Sequence, residues 1–176
     1  MLARSFRLVT ARLIPGGFRC KQALLPVLCA LILSGCGGSG APKVTWKLVD
    51  AGSYRFRAPQ SWQVTRARDR TTVKDGSAFV QVATFPLVRA YDDGLFDKVR
   101  SELDVRMAAV AKQSGGTVSA HRVVTIDGRR AHQYDVRVGK RTDRYTFVLR
   151  GKREFLLLCS AAGAVCDELA ASFSDG

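Results

Sequence analysis

The spacing of apolar and polar residues predicts a chain built mainly from β-strands after residue 43. Short runs in which apolar side chains alternate with polar ones are typical of strands with one buried face. Such strands are predicted at residues 44–49, 53–57, 78–85, 117–126, 129–138, 142–150 and 153–160. The last segment is the most apolar, and we therefore expect it to lie at the centre of a sheet.

The pattern is weaker in the stretch that follows the second strand. Residues 58–62 contain a proline and end that strand, and we expect Trp62 to pack back onto the core. Arginine then occupies every second position from 66 to 70, which indicates an edge strand or an exposed loop. In the first strand, Trp46 and Leu48 are expected to share one face because side chains alternate along a strand.

One long helix is predicted at Gly94–Gln113, because its apolar residues recur at every third or fourth position. This apolar stripe consists of Leu95, Val99, Leu103, Met107 and Val110. An aspartate at position 92 or 93 can cap the start of the helix, and the Ser-Gly-Gly run at 114–116 ends it. We expect the stripe to pack on a sheet, and we predict a second, short helix at Ala164–Phe173.

The first 35 residues follow a different pattern. A basic segment without acidic residues precedes the apolar run Ala23–Leu33. This run is shorter than the roughly 20 residues that a membrane-spanning helix needs. It ends in Leu33-Ser34-Gly35-Cys36, which resembles the lipobox of bacterial lipoproteins: an aliphatic residue, two small residues and a cysteine.

The lipobox resemblance implies that the thiol of Cys36 receives a diacylglyceryl group and that the chain is cut just before it. Residues 1–35 are then a signal peptide, and residues 36–43 are the lipidated cysteine with a flexible Gly/Ser tether. The expected partner is the membrane, and the expected location is the extracytoplasmic side of the cell envelope. An uncleaved transmembrane helix and a secretory signal cut elsewhere are the alternatives.

The chain is basic, with 28 Lys and Arg against 15 Asp and Glu, a net charge of +13. Five of the basic residues precede residue 36, so the remainder has 23 basic and 15 acidic side chains, a net charge of +8. A basic surface attracts nucleic acid, anionic lipid headgroups or an acidic polymer. Nucleic acid is the least available of these outside the cytoplasm, and we expect none as a partner.

Seven basic residues gather near two predicted hairpin turns. They are the candidates for contact with an acidic polymer or anionic headgroups, through one basic end of the domain; solvated turns are the alternative. The residues are Arg137, Lys140, Arg141, Arg144, Arg150, Lys152 and Arg153.

Two cysteines remain after the leader and the lipobox, Cys159 and Cys166. Oxidising compartments allow such a pair in an exported protein to form a disulfide, and we predict a structural one here. The redox-active Cys-x-x-Cys spacing does not fit this pair, and the sequence offers no further ligands for a metal site.

Three local motifs and the order of the predicted elements resemble the PsbP-like fold. The motifs are the aromatic strand that runs into Pro-x-x-Trp at 54–62, the segment 126–135 and the closing Ala-Ala-Ser-Phe at 170–173. The family includes an extrinsic photosystem subunit, a small Ran-binding import factor and many bacterial lipoproteins. The resemblance implies one α+β domain over 44–174, an antiparallel β-sheet with helices on both faces (an α/β/α sandwich), and binding rather than catalysis.

The two histidines are the residues to test for chemistry. His132 lies on an apolar strand face beside Tyr134, which is typical of a core or rim histidine. His121 is expected to face away from Val118 and Ile126 and to be exposed. Because their strands are predicted to pair, the two rings can approach each other, but a closed zinc site needs four ligands.

The sequence therefore predicts no catalytic, cofactor-binding or metal-binding residues. The predicted function is a lipid-anchored, non-enzymatic binding or accessory module of the cell envelope, with an envelope protein or an acidic polymer as a further partner. One alternative is a small hydrolase or metal-dependent enzyme that uses His132. The other is a basic domain that binds anionic envelope polymers or lipid headgroups.

Overall fold

The structure, a computed structural model, describes residues 44–176. Its strands are β1 (Trp46–Asp50), β2 (Tyr54–Pro59), β3 (Gln63–Arg66), β4 (Arg70–Asp75), β5 (Ala78–Pro86), β6 (Thr117–Ile126), β7 (Arg129–Val138), β8 (Arg141–Arg150), β9 (Arg153–Ser160) and β10 (Ser174–Asp175). The helices are α1 (Phe96–Gln113) and α2 (Gly163–Ser172), and a 3-10 turn, Asp93–Leu95, precedes α1.

The signal peptide, the lipobox with Cys36 and the tether lie at residues 1–43, outside the described residues, and these three assignments stay predictions. In the part of the chain that is described, no helix has the length and apolar character that crossing a bilayer requires.

The seven predicted strands are confirmed, with bounds that differ by at most two residues. The polar, arginine-rich stretch at residues 66–70 lies in the hairpin of β3 and β4. Its start belongs to β3, which is an edge strand, and residues 67–69 form an exposed turn, so each of the two interpretations holds for part of the stretch. Polar residues suit β3 because it lies at the sheet edge, where one side of the strand meets solvent.

Seven strands form one antiparallel sheet in the order β3-β4-β5-β9-β8-β7-β6. β9 lies in the middle, as predicted from its apolar sequence. β1, β2 and β10 form a second, three-stranded sheet. Every neighbouring pair in both sheets is antiparallel.

Both faces of the large sheet are covered, and each cover buries its own hydrophobic cluster. On one face, α1 packs Met107 near Phe147. On the other, α2 and the small sheet bring Leu169 and Phe56 against Phe155. Fully burying a side chain of this size contributes about 1.5–3 kcal/mol. The predicted α+β fold, an antiparallel sheet with helices on both faces, is therefore confirmed.

Four residues of the predicted α1 stripe, Val99, Leu103, Met107 and Val110, pack in the cluster beneath the helix, and the stripe differs from the prediction at its start. Leu95 is 38% exposed, whereas Phe96 and Ala111 are buried. The cause lies at the helix start, where the Asp92 carboxylate accepts a hydrogen bond from the Gly94 N–H at 2.8 Å and holds a 3-10 turn. The α-helix begins only at Phe96, so its inward stripe starts there. The predicted end at 114–116 is confirmed.

The inward face of β1 is set by its pairing with β2. Leu48 is 62% exposed, and Val49 is the buried residue at 2%. Val49 lies opposite Phe56 of β2, whereas Leu48 lies opposite the exposed Arg57. Pairing with β2, whose alternation is clear, fixes the register of β1 and overrides the local pattern. Trp62 packs against the core cluster, as expected.

A disulfide joins Cys159 of β9 to Cys166 of α2, with Cα atoms 5.5 Å apart. The pairing agrees with the prediction from the sequence. It closes a loop with a sequence separation of 7 residues, which by the chain-entropy relation stabilises the fold by about 2.5 kcal/mol. The bond fixes α2 to the central strand of the sheet.

Candidate functional site

The two histidines form a hydrogen-bonded pair between neighbouring strands. His121 on β6 and His132 on β7 approach each other with 3.1 Å between Nε2 of His121 and Nδ1 of His132. The other ring nitrogen of His132, Nε2, lies 3.0 Å from the carbonyl oxygen of Phe96. The prediction that the rings can approach each other is confirmed.

These contacts determine where the hydrogens lie in the neutral pair. A carbonyl oxygen only accepts, so Nε2 of His132 must donate to the carbonyl of Phe96. Nδ1 of a neutral His132 is then an acceptor, and Nε2 of His121 donates to it. Both nitrogens of His132 are therefore committed to hydrogen bonds within the protein.

The prediction that His121 is exposed and faces away from Val118 is wrong. His121 is half-buried and lies opposite Tyr134, with the ring centroids 4.5 Å apart. A β-bulge between Val118 and Ala120 changes the alternation, so that Val118 and His121 share one face. A bulge adds a residue to one strand, and the residue pattern of β6 gives no sign of it.

Burial disfavours the charged forms of two side chains in this cluster, His121 and Tyr134, by shifting the pKa of each. The pKa of His121 is lowered by desolvation, and then by Arg100 and His132, against a smaller opposing effect of Asp104. The hydroxyl of Tyr134 donates to Oδ1 of Asp104 at 2.7 Å, and burial together with this carboxylate raises the pKa of Tyr134 well above its usual range. The histidine, the tyrosine and their partners act as a packed polar group at neutral pH.

His132 has the surroundings of a structural histidine. It is 1% exposed, and its ring stacks on Phe96 with centroids 4.0 Å apart. The guanidinium of Arg130 lies 4.2 Å from the centroid of Phe96 on the same stack. A general base must reach the proton that it abstracts. A side chain packed between a strand and a helix cannot do so, and this geometry contradicts an enzyme built on His132.

A metal site at the histidine pair has no support in the geometry either. Residues 44–176 contain no group of three or more His, Cys, Asp or Glu that is placed to hold a metal ion. The lone-pair nitrogen of His132 already accepts a hydrogen bond from His121.

The expectation that seven basic residues form one end of the domain is wrong. The turn at Gly139-Lys140 precedes β8, and the turn at Gly151-Lys152 follows it. β8 is 10 residues long, which at about 3.3 Å per residue places the two turns about 30 Å apart. The basic residues therefore divide between opposite ends of the sheet.

Three of these basic residues pair with carboxylates of the domain, and the first, Arg141, lies 2.9 Å from Asp143 on its own strand. Arg144 pairs with Asp135 at 3.3 Å and with Asp167 of α2 at 2.5 Å. Arg150 binds Asp127 at 2.7 Å and also contacts Asp175. Carboxylates already occupy these guanidinium groups, so they are poorly placed to bind an external anion.

A cleft that the sequence did not reveal lies between α1 and residues 87–91, with a volume of about 220 Å³. Its lining is mainly apolar and comprises Leu87, Ala90, Tyr91, Leu95, Val99, Leu103 and Leu149. Four charged residues complete the lining: Arg89, Glu102, and Arg106 with Glu154, which form an ion pair at 2.7 Å. Apolar walls with a few polar groups are typical of small-ligand sites.

Comparison with known proteins supports the fold. No protein-family profile and no curated protein matches the sequence. Among solved structures, the chain is similar to cyanobacterial PsbP (CyanoP) from Synechocystis sp. PCC 6803, at 16% identity and a TM-score of 0.56. That match covers 82% of this chain and 99% of that one. A protein from Bacteroides thetaiotaomicron VPI-5482 matches at 12% identity and a TM-score of 0.47, over 70% of this chain and 45% of that one.

Proposed function

We propose that the protein is a lipid-anchored lipoprotein of the cell envelope, held on the extracytoplasmic side, and that its domain at residues 44–176, which has a PsbP-like fold, acts as a non-enzymatic binding or accessory module. The likeness to CyanoP supports the fold of the module.

The sequence at residues 33–40 carries the proposal. Leu33-Ser34-Gly35-Cys36 has the residue types of a lipobox, and the next four residues, Gly-Gly-Ser-Gly, are typical of a flexible spacer. The spacer leads towards a single domain whose first strand starts at Trp46. A basic segment, a short apolar run and a cysteine in this order suit a cleaved and acylated N-terminus.

Binding is favoured over catalysis by the histidine pair. His132 makes two hydrogen bonds within the protein and is shielded by Phe96. The cleft beside α1, with its apolar lining and the Arg106–Glu154 pair, supports a role in holding an apolar group of a ligand or of an envelope protein.

Metabolic labelling tests the anchor. The full-length chain is expressed in a bacterium that is supplied with a labelled palmitate analogue, beside the variants Cys36→Ala and Cys20→Ala. The wild type and Cys20→Ala should carry the label and sediment with membranes, whereas Cys36→Ala should carry none. Label on Cys36→Ala, or an unlabelled wild type, contradicts the proposal.

A further inference from the structure

A polar pocket of about 400 Å³ lies where the turn between β3 and β4 meets the start of β9. Four arginines and one carboxylate, that of Asp69, form its charged lining, which therefore has a net charge of +3. The four arginines are Arg66, Arg68, Arg70 and Arg153. We call this site the arginine pocket.

Hydrogen bonds hold the backbone of the arginine pocket in place. The N–H of Ala67 donates to the carbonyl of Arg70 at 2.8 Å, and the N–H of Thr84 on β5 donates to the carbonyl of Asp69 at 2.8 Å. The turn that carries Arg68 is thus tied to both β4 and β5. A fixed turn of this kind presents its side chains at defined positions, as a binding site requires.

The positive charges of the arginine pocket are poorly matched within the protein. Arg70 lies 3.4 Å from Asp69, and Arg66 donates only to the backbone carbonyl of Asp50, at 3.2 Å. Among residues 44–176, Arg68 and Arg153 have no carboxylate within salt-bridge distance. Four guanidinium groups around one pocket with a single carboxylate among them repel each other, and a bound anion relieves that repulsion.

An unpaired hydroxyl adds a second, uncharged feature. Thr84 lines the arginine pocket, and its Oγ1 is buried with no hydrogen-bond partner among the described residues. Buried polar atoms without a partner are rare in folded proteins. A ligand oxygen placed beside Thr84 would give this hydroxyl a partner.

We infer that the arginine pocket binds a phosphate-bearing anion. Guanidinium groups donate two parallel hydrogen bonds to pairs of phosphate oxygens, and several of them around one pocket suit a tetrahedral dianion. This inference rests on the proposed binding role and deepens it by naming the ligand chemistry. A free phosphate compound and a phospholipid headgroup both present this chemistry, and two experimental arms distinguish them.

The test uses the full-length protein purified in a non-ionic detergent. In the first arm, inorganic phosphate is titrated at constant ionic strength with chloride as the reference, and the arginine Nε–H signals are followed by NMR. In the second, vesicles of phosphatidylglycerol or phosphatidylcholine are sedimented with the protein. The variants are Arg68→Gln/Arg153→Gln and Thr84→Val. Arg137→Gln/Lys140→Gln, which removes two exposed charges at the other end of the sheet, is the matched control.

The expected result in the first arm is saturable phosphate binding, weakened about tenfold or more by Arg68→Gln/Arg153→Gln and unchanged in the control. Thr84→Val should weaken it without any change of charge. If the same variants lose binding to phosphatidylglycerol vesicles and no other binding, the source of the phosphate group is a lipid headgroup. Absence of binding in both arms, or binding that survives both variants, overturns the inference. Because the first arm contains no membrane, its outcome is independent of whether Cys36 is acylated.

Discussion

At the scale of single residues, the histidine pair combines packing with charge. His121 packs against Tyr134 with the two rings tilted and donates to His132, and Arg100 and Asp104 of α1 are close enough to shift its pKa. Burial, Arg100 and His132 act together against a positive charge on His121, and only Asp104 favours it. The neutral form of His121 is therefore favoured in the folded protein, and protonation of His121 opposes folding.

This arrangement predicts a loss of stability on acidification. The pKa of His121 is lowered in the folded state, so below the ordinary histidine value of about 6.5 the unfolded chain binds the proton more readily. The neutral His121 ring contributes its full stability above the ordinary histidine pKa. This contribution is lost as the pH falls from there towards the pKa of His121 in the folded protein. Urea unfolding between about pH 7.5 and pH 5.5 should show this loss in the wild type.

The matched variant is His121→Gln, whose amide can donate to His132 but does not titrate. Its free energy of unfolding should decrease less over the same pH range than that of the wild type. Equal slopes in the two proteins, or an NMR titration midpoint of His121 at or above the ordinary value, would show that the neutral pair is wrongly assigned.

At the scale of elements, the packing of α1 depends on a stripe that starts at Phe96. Met107 is fully buried against the sheet, whereas Val105, two positions before it, is 72% exposed. Met107→Ala should therefore lower the free energy of unfolding by about 2–5 kcal/mol, and Val105→Ala should change it by less than about 0.5 kcal/mol. Urea unfolding of both variants measures this, and a similar effect of the two substitutions would contradict the orientation of α1.

Most elements could be predicted from the sequence because their ends are marked locally. β6 and β7 meet at Asp127-Gly128, and β8 and β9 meet at Gly151-Lys152, so turn residues fixed the strand bounds. The hairpin of β3 and β4 was harder to predict, since an edge strand tolerates polar residues on both faces. The 3-10 turn before α1 places Leu95 outside the buried stripe of that helix. The aspartate that caps the turn is indicated by the sequence, but the turn itself is not.

At the scale of the whole molecule, the site features depend on contacts between distant parts of the chain. The arginine pocket joins Arg68 to Arg153, and the cleft beside α1 joins Leu87 to Leu149. Local periodicity carries no information on such pairs. The sequence did predict a basic domain, but the sheet topology decides that its basic hairpin turns lie at opposite ends rather than together.

The proposed arrangement of the whole protein is a lipid at Cys36, a short Gly/Ser tether and one PsbP-like domain with a disulfide between Cys159 and Cys166. With residues 1–35 removed, the net charge is +8, which attracts the domain to anionic surfaces within about 10 Å at moderate salt.

Intact mass spectrometry of protein from native membranes tests this arrangement most directly, with Cys36→Ala measured beside the wild type. We predict a wild-type chain that starts at Cys36, carries a diacylglyceryl group and an N-acyl chain, and is two hydrogens lighter because of the Cys159–Cys166 bond. The lipid mass should be absent from Cys36→Ala. A full-length, unmodified wild-type chain would contradict the lipoprotein assignment.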